Sequence, residues 1–362
     1  MLIIYSIILF FLSVYSYSLI DPNLTFFQTH WWEIFRAKMV YFGYYQRDLS
    51  WFVYLSLIIL LFIFHLYFLK KHKGFNPLKI ALLISGVLLI SYPLLSHDFF
   101  NYLFDARIVT YYNHNPYLKK ALDFPSDPWL RFMHWTHRTY PYGPVFLLIS
   151  LVPSFLSLGK FILSFFFFKL TFAGFYILAV YYLAKLDKKA AVFFATNPLL
   201  LIEGLVNSHN DLIAVALAII GIYYLLVSKL QFNARLLLLL STGIKFITLP
   251  IVFLSKQKLI WNKIIFAFTG GILIYLSLKS EIQPWYFLNL FIFLPIIRSI
   301  NRLDIFFLGL LLSYYPYIRL GGWDTVEKIN LKHSIIIIFF VANVIQLIFL
   351  KFRYLHNVKK NN

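Results

Sequence analysis

Long apolar runs separated by short polar links fill most of this chain. Twelve can be marked, at about 2–20, 51–69, 80–95, 144–157, 160–184, 190–206, 211–228, 235–254, 264–279, 286–297, 304–318 and 333–350. A helix needs roughly 20 apolar residues to cross a hydrocarbon core about 30 Å thick. Only helices or closed barrels satisfy the backbone in lipid, and runs without two-residue alternation exclude a barrel. The pattern therefore predicts an all-α, polytopic integral membrane protein with about 10–12 transmembrane helices. No internal repeat or low-complexity linker divides it, so 1–362 reads as a single integral domain. The first run lacks a basic leading region and a small-residue cleavage site, and reads as a retained helix rather than a cleaved signal.

One stretch breaks the pattern. Residues 96–144 form a polar excursion that begins SHDFFNYLFDARIVTYYNHNPYL and ends HRTYPYGP. It carries four acids, Asp98, Asp105, Asp123 and Asp127, with five bases and many aromatics. From Asp98 to Tyr112 the apolar residues recur at near-helical spacing, which predicts an amphipathic helix lying along the interface. Asn113-His114-Asn115-Pro116 should stop it, because the residue before proline avoids the helical region. Trp129, Trp135 and the tyrosines suit the headgroup zone. Asp98 and Asp105 follow the end of an apolar run, where a carboxylate meets headgroups and water. The stretch reads as an external, interfacial catalytic loop.

Composition agrees. The chain is 61% hydrophobic and 13% charged, against about 25% charged in soluble domains. The absence of cysteine excludes disulfides, thiol nucleophiles and thiolate metal sites. A net charge of +19 suggests nucleic acid until its placement is considered. The link 70–79, the KLDKK after Ala184 and the tail KFRYLHNVKKNN are basic, as cytoplasmic links are. The link 21–50 is balanced and suits the outside. Simple alternation of every segment puts KLDKK outside. The preferred topology avoids this by making two segments non-crossing. These are 144–157, short and broken by Pro153, and 235–254, broken by Gly243, Lys245 and Pro250. Residues 207–211 then share a face with 96–144.

Several residues are candidates for chemistry. Asp98 is either the cap of a helix starting at Phe99 or a general base for a hydroxyl attacking a sugar carbon. One carboxylate suffices where the leaving group is a phosphate. Asp105 and Arg107 make either an interfacial ion pair or a sugar and phosphate contact. His209 and Asp211 lie between two apolar runs, as a tight turn or as ligands in a polar cavity. Lys245 lies inside an apolar run, where it either snorkels or neutralises a phosphate. Gln283, Trp285 and Tyr286 form either an aromatic belt or a sugar platform. The histidines show no metal-ligand spacing, so neither metal nor cofactor is expected.

These residues carry a resemblance. Asp98-x-x-x-Tyr102-Leu103-Phe104-Asp105-Ala106-Arg107 with Asn115-Pro116-Tyr117 resembles the first-loop signature of GT-C glycosyltransferases. The similarity is to polyprenyl-phosphate-mannose-dependent mannosyltransferases and to the catalytic subunit of GPI mannosyltransferase I. Thr139-Tyr140-Pro141-Tyr142-Gly143-Pro144, Asn197-Pro198-Leu199, Glu203-Gly204, Asn207-Ser208-His209-Asn210-Asp211, Lys245 and Gln283-Pro284-Trp285-Tyr286 follow in the family's order. The blocks span roughly 85–300, with the flanks similar only in hydropathy. His97 stands where the family pattern has a first acid, which favours a metal-independent mechanism. The family glycine is Ala106 here, and the second proline of the Y-P-P stretch is displaced to Pro144.

The resemblance implies a multi-pass cell-membrane enzyme. It would move a hexose, mannose above all, from a polyprenyl-phosphate carrier to a lipid or glycan acceptor on the outer face, with inversion. Asp98 would be the base and Asp105 a second catalytic-site carboxylate, holding a sugar hydroxyl or an arginine. Arg107, Tyr117, Tyr140, Asn207, His209, Asp211, Lys245, Gln283, Trp285 and Tyr286 would bind substrate. The rival readings are a transporter or flippase of a lipid-linked saccharide, which predicts repeated halves, and an inactive scaffold subunit.

Overall fold

The computed structural model describes residues 1–227 and 231–361, apart from the side chains at 298 and 353–361. Most side chains of the basic tail expected on the cytoplasmic face therefore lie outside what is described. Among those described there is no strand. The helices are α1 (Leu2–Tyr15), α2 (His30–Val40), α3 (Arg47–Lys70), α4 (Pro77–Leu88), α5 (Asp98–Thr110), α6 (Pro144–Leu156), α7 (Phe161–Leu186), α8 (Lys188–Thr196), α9 (Asp211–Val227), α10 (Gln231–Thr242), α11 (Leu259–Lys279), α12 (Asp304–Leu312), α13 (Tyr315–Arg319) and α14 (Val326–Asn361). Tighter or wider helical turns fill several breaks, notably Leu200–Val206, Phe246–Phe253 and Pro284–Phe293.

The chain is an all-α polytopic membrane protein, but the expected 10–12 full-length crossings are not met by length. Among the described residues five helices are long and apolar enough to cross: Leu2–Leu19, Arg47–Lys70, Phe161–Leu186, Leu259–Lys279 and Val326–Phe352. Lys188–Thr196 with Leu200–Val206, bent by 66°, makes a sixth. The other apolar runs are short or broken helices because proline, glycine and polar residues interrupt them. Irregular backbone at membrane depth is tolerated where protein buries it or where it lines a cavity, and these breaks gather around one polar centre.

Contacts fix which links share a face. The Lys188 ammonium donates to the Lys73 carbonyl at 2.7 Å, so KLDKK sits with the basic link 70–79. The Asn207 side-chain oxygen accepts from the Leu95 amide at 3.1 Å, so the other end of the bent pair sits with the loop 96–144. The bent pair is therefore a broken crossing. Helix α6 stays with the loop at both ends: Gly143 at its start meets Ile244, and the Ser154 hydroxyl bonds Thr110 at 2.7 Å. Helix α10 and Phe246–Phe253 fold back as a hairpin, closed by Arg235 donating to the Val252 carbonyl. Its tip, 243–245, reaches the loop. These are the two segments singled out as non-crossing.

Glycine makes that tip possible. The Val145 amide donates to the Gly243 carbonyl at 3.2 Å. A Cβ at Gly143 would stand 2.0 Å from that same oxygen, and one at Gly243 would stand 2.4 Å from a Val145 methyl. Two glycines let the backbones touch.

Helix α5 departs from expectation. Phe99–Ile108 are all buried, so it is not an amphipathic helix on an interface. Its polar residues Asn101, Asp105 and Arg107 are buried together with the apolar ones, so the helix is surrounded on every side. The remainder of the loop wraps over it. Trp129 and Phe132 are buried against Phe161 at 5.3 and 4.8 Å rather than facing headgroups, whereas Trp135 is exposed.

Candidate active site

One face of α5 supplies the centre. Asp98, Tyr102 and Asp105 are four and three residues apart, which stacks them along a single helical stripe. Asp98 opens the helix with its side chain partly exposed, and an Arg138 guanidinium nitrogen donates to Asp98 Oδ1 at 3.2 Å. The same nitrogen reaches the Tyr142 hydroxyl at 3.4 Å. The Arg138 Nε–H is buried without a partner. Asp105 is buried about two turns further along the helix. Burial pushes its carboxyl up to about 8, against the pull of Arg138 and with the charge of Asp98 adding to the rise. A group so raised is largely neutral at pH 7 and can donate a hydrogen bond. Burial pushes the other way on His97, bringing it down to about 4, so that imidazole is neutral.

The hairpin tip and the turn after Val206 close the opposite wall. Lys245 Nζ lies 3.0 Å from Asp211 Oδ2 and over the rings of Tyr142 and Tyr286, at 5.7 and 5.9 Å. Asn289 donates to Asp211 Oδ1 at 2.9 Å. The turn itself is tied down. Lys169, wholly buried in α7, donates to the carbonyls of Leu205 and Val206 at 2.9 and 2.6 Å. Asn207 bridges Leu95 and, at 3.0 Å, Glu203. Ser208 adopts φ +56°, which reverses the chain. His209 then stacks on Trp285 with centroids 4.2 Å apart and planes 14° from parallel. Its Nε2 lies 3.3 Å from Glu203 Oε2. Fully buried polar atoms are normally satisfied, yet His209 Nδ1, both side-chain polar atoms of Asn210 and Asn289 Oδ1 have no partner.

The structure thus gathers Asp98, Asp105, His209, Asp211, Lys245, Trp285 and Tyr286. It does not bring Arg107 to them. Arg107 Nε donates to Asp127 Oδ2 at 2.7 Å and its NH1 to the Gly159 carbonyl at 3.0 Å. Its guanidinium lies between Tyr111 and Trp129, at 4.0 and 4.3 Å. Arg107 braces the loop, and Arg138 is the cation beside Asp98. Asn207 is likewise a brace. Gln283 is held by Lys332 at 2.9 Å and Glu281 at 3.1 Å. Tyr117 is exposed, its hydroxyl donating to the Tyr142 carbonyl at 3.2 Å, and its ring meets the buried Tyr140 at 5.1 Å.

Sequence reasoning missed Arg138, Lys169, Glu203 as a side chain with a task, Asn289 and Lys332. A lysine within the apolar run FFFFKLTF carries the signal that singled out Lys245. Arg138 directly precedes the Thr139–Tyr140–Pro141 block.

No curated protein and no solved structure matches the chain. Residues 4–261 match a family model described as alpha-(1->6)-mannopyranosyltransferase, N-terminal domain. The match begins far earlier than the blocks visible by eye, and it ends before Gln283-Pro284-Trp285-Tyr286. With that match over most of its length, this all-helical membrane protein belongs to the MptA_B family and is a mannosyltransferase, working between a sugar donor and an acceptor.

Proposed function

We propose that the chain transfers mannose from a polyprenyl-phosphate carrier to a hydroxyl of a lipid or glycan acceptor, with Asp98 as general base. Asp98 takes the proton of the attacking hydroxyl. The oxygen bonds to the anomeric carbon as the carbon–oxygen bond to phosphate breaks, and the bonding pair leaves with the phosphate. In-line attack inverts the centre, so an α product of the kind in the family's description requires a β-linked donor. The phosphate leaves without a second acid, because Arg138 and Lys245 can neutralise it. Neutral Asp105 donates a hydrogen bond to the sugar. His209, Asp211, Trp285 and Tyr286 form the wall against which the sugar lies. GT-C architecture and the likeness to GPI mannosyltransferase I belong to this same reading.

The observation that carries it is the cluster of buried, unpartnered polar groups beside one partly exposed carboxylate and two cations. It sits where apolar segments end, as a lipid-held donor demands. Basic links gather at the other face, which favours an outward-facing site in the cell membrane. Cysteines placed at Ser126 and Ser280 should both react with an impermeant reagent in intact cells. Labelling only after lysis would reverse the orientation. The purified chain should release polyprenyl phosphate and form a mannoside when given polyprenyl-phosphate mannose and a mannose-bearing acceptor. Transfer from a nucleotide sugar alone would remove the proposed donor.

A further inference from the structure

Within the loop 96–144, residues 134–139 read HWTHRT, and Trp135 is their one apolar side chain. This strip lies across the first turn of α5, beside Asp98. The His134 and His97 rings stack with centroids 3.5 Å apart. Asn101 donates its side-chain amide to the Trp135 carbonyl at 3.2 Å. An Arg138 guanidinium nitrogen meets Asp98 Oδ1 at 3.2 Å, and the same guanidinium carbon lies 5.2 Å from the centre of the Trp135 ring. A further tie brings His134 Nε2 within 3.4 Å of Asp21 Oδ2.

The strip is tied down underneath and open on top. His134, Trp135, His137 and Thr139 are exposed, Trp135 to 43%. A tryptophan that anchors a protein in a bilayer sits where an apolar span meets water. Trp261, in the first turn of the long apolar helix α11 and also 43% exposed, is placed in that way. Trp135 instead has imidazoles, hydroxyls and a guanidinium as its neighbours along the chain. An exposed ring set among donors and acceptors suits a pyranose, whose C–H face is apolar and whose edge carries hydroxyls. A lipid tail would leave the polar groups unused, and a phosphate would leave the ring unused.

We infer that the strip 134–139 is the acceptor site, with the acceptor saccharide lying on the Trp135 ring. One guanidinium spans the distance from that ring to Asp98, so a hydroxyl of the stacked sugar reaches the base from the exposed side. Lys245 and Asp211 face the same centre from the opposite wall, which leaves this side to the acceptor. The contacts of His97 and Asn101 with the strip keep the ring in place beside Asp98. The inference rests on the mannosyl-transfer reading above, and it adds the place of the second substrate.

The test uses the full chain in lipid nanodiscs, with methyl α-D-mannopyranoside as a water-soluble acceptor and polyprenyl-phosphate mannose as donor. Trp135→Leu should raise the acceptor KM about fivefold, the loss expected for one ring contact, with donor KM and unfolding temperature as in the wild type. Trp135→Tyr keeps a ring and should restore most of the acceptor affinity. Trp261→Leu, the matched interfacial tryptophan, should leave the acceptor KM unchanged. An unchanged acceptor KM in Trp135→Leu would overturn the inference. So would an equal rise in Trp261→Leu, which would mark both rings as bilayer anchors, or a rise in donor KM alone, which would give the ring to the donor. Saturation-transfer NMR with the methyl mannoside and no donor reads binding separately. The wild type should give a signal that Trp135→Leu weakens and Trp261→Leu keeps. If the wild type transfers nothing, the mannosyl-transfer reading fails on its own. Equal signals in wild type and Trp135→Leu, or none in the wild type, would sink the acceptor site whatever the transfer assay shows.

Discussion

The loop 96–144 holds two Asp–Arg pairs, and they are built differently. At the far end of α5, Asp127 and Arg107 leave little undone. Asp127 accepts from Arg107 Nε, from the Tyr112 hydroxyl at 2.7 Å and from the Trp129 amide at 2.8 Å. Arg107 has an aromatic ring on each side and a carbonyl at its tip. At the near end, Asp98 and Arg138 share one contact at 3.2 Å, and one Arg138 donor is buried with nothing to meet. A saturated pair is a strut. An unsaturated pair beside a raised carboxyl is where a substrate has work to do. Sequence favoured Arg107 because it shares a block with Asp105; its saturation is why the proposed mechanism uses Arg138 instead.

The sharpest way to break the comparison is to cut each pair. Arg107→Leu leaves Asp127 buried and unpaired, which costs about 3–5 kcal/mol of stability. Thermal unfolding should show that loss, with residual folded enzyme keeping its donor KM. A normal unfolding temperature together with a raised donor KM would return Arg107 to the site. Arg138→Gln should do the reverse, because its partner Asp98 is partly exposed. It removes a charge-assisted contact of about 1.5–3 kcal/mol, so donor KM should rise roughly 10- to 100-fold while the unfolding temperature holds. Lys245→Gln should raise donor KM similarly but also lower the unfolding temperature, because it leaves the buried Asp211 without its cation. A raised KM in only one of the two variants would narrow the phosphate site to that residue.

Much of the site could be read in the sequence because polar residues inside apolar runs stand out. His209, Asp211 and Lys245 were found that way, Trp285 and Tyr286 through the block they share with Gln283, and they lie close together. That 144–157 and 235–254 form no helix long enough to cross was also legible, from Pro153 in one and Gly243, Lys245 and Pro250 in the other. What was not legible depends on long-range pairing. Nothing near Arg107 announces that Asp127, twenty residues on, will fill its hydrogen bonds. Nothing near Gln283 announces Lys332, forty-nine residues away. The burial of α5 was not legible either: its mixed apolar and polar sequence suggests an interfacial helix, and the wrap of 111–144 that buries it is tertiary.

Two smaller effects sharpen the picture. Gly243→Ala drives a methyl into Val145, and forced packing of this kind costs about 1–3 kcal/mol. The hairpin tip would shift, so Lys245 should bind donor less well even though it is unchanged. Gly74→Ala, with open space around the new carbon, is the matched control and should behave as wild type. The second effect is on pH. The fold holds Asp105 raised from 3.8 to about 8 and so favours its neutral form. The stability this contributes is fully present below the ordinary carboxyl value and is lost as pH rises through about 8. Turnover should carry a falling limb near there. Asp105→Asn, which cannot ionise, should flatten that limb at a modest cost in rate. A limb that persists in Asp105→Asn would assign it to another group.

The central claim is that the unsaturated end of α5 carries the base, and turnover of Asp98→Asn beside Asp105→Asn tests it most directly. Single-turnover transfer from polyprenyl-phosphate mannose, with donor affinity measured separately, is the measurement. Removing a positioned general base costs about 10²–10⁴-fold in rate. Asp98→Asn should fall in that range with donor affinity nearly unchanged, and Asp105→Asn should lose far less. Near-normal turnover in Asp98→Asn, with Asp105→Asn abolished, would contradict the account and place the base about two turns further along the same helix face.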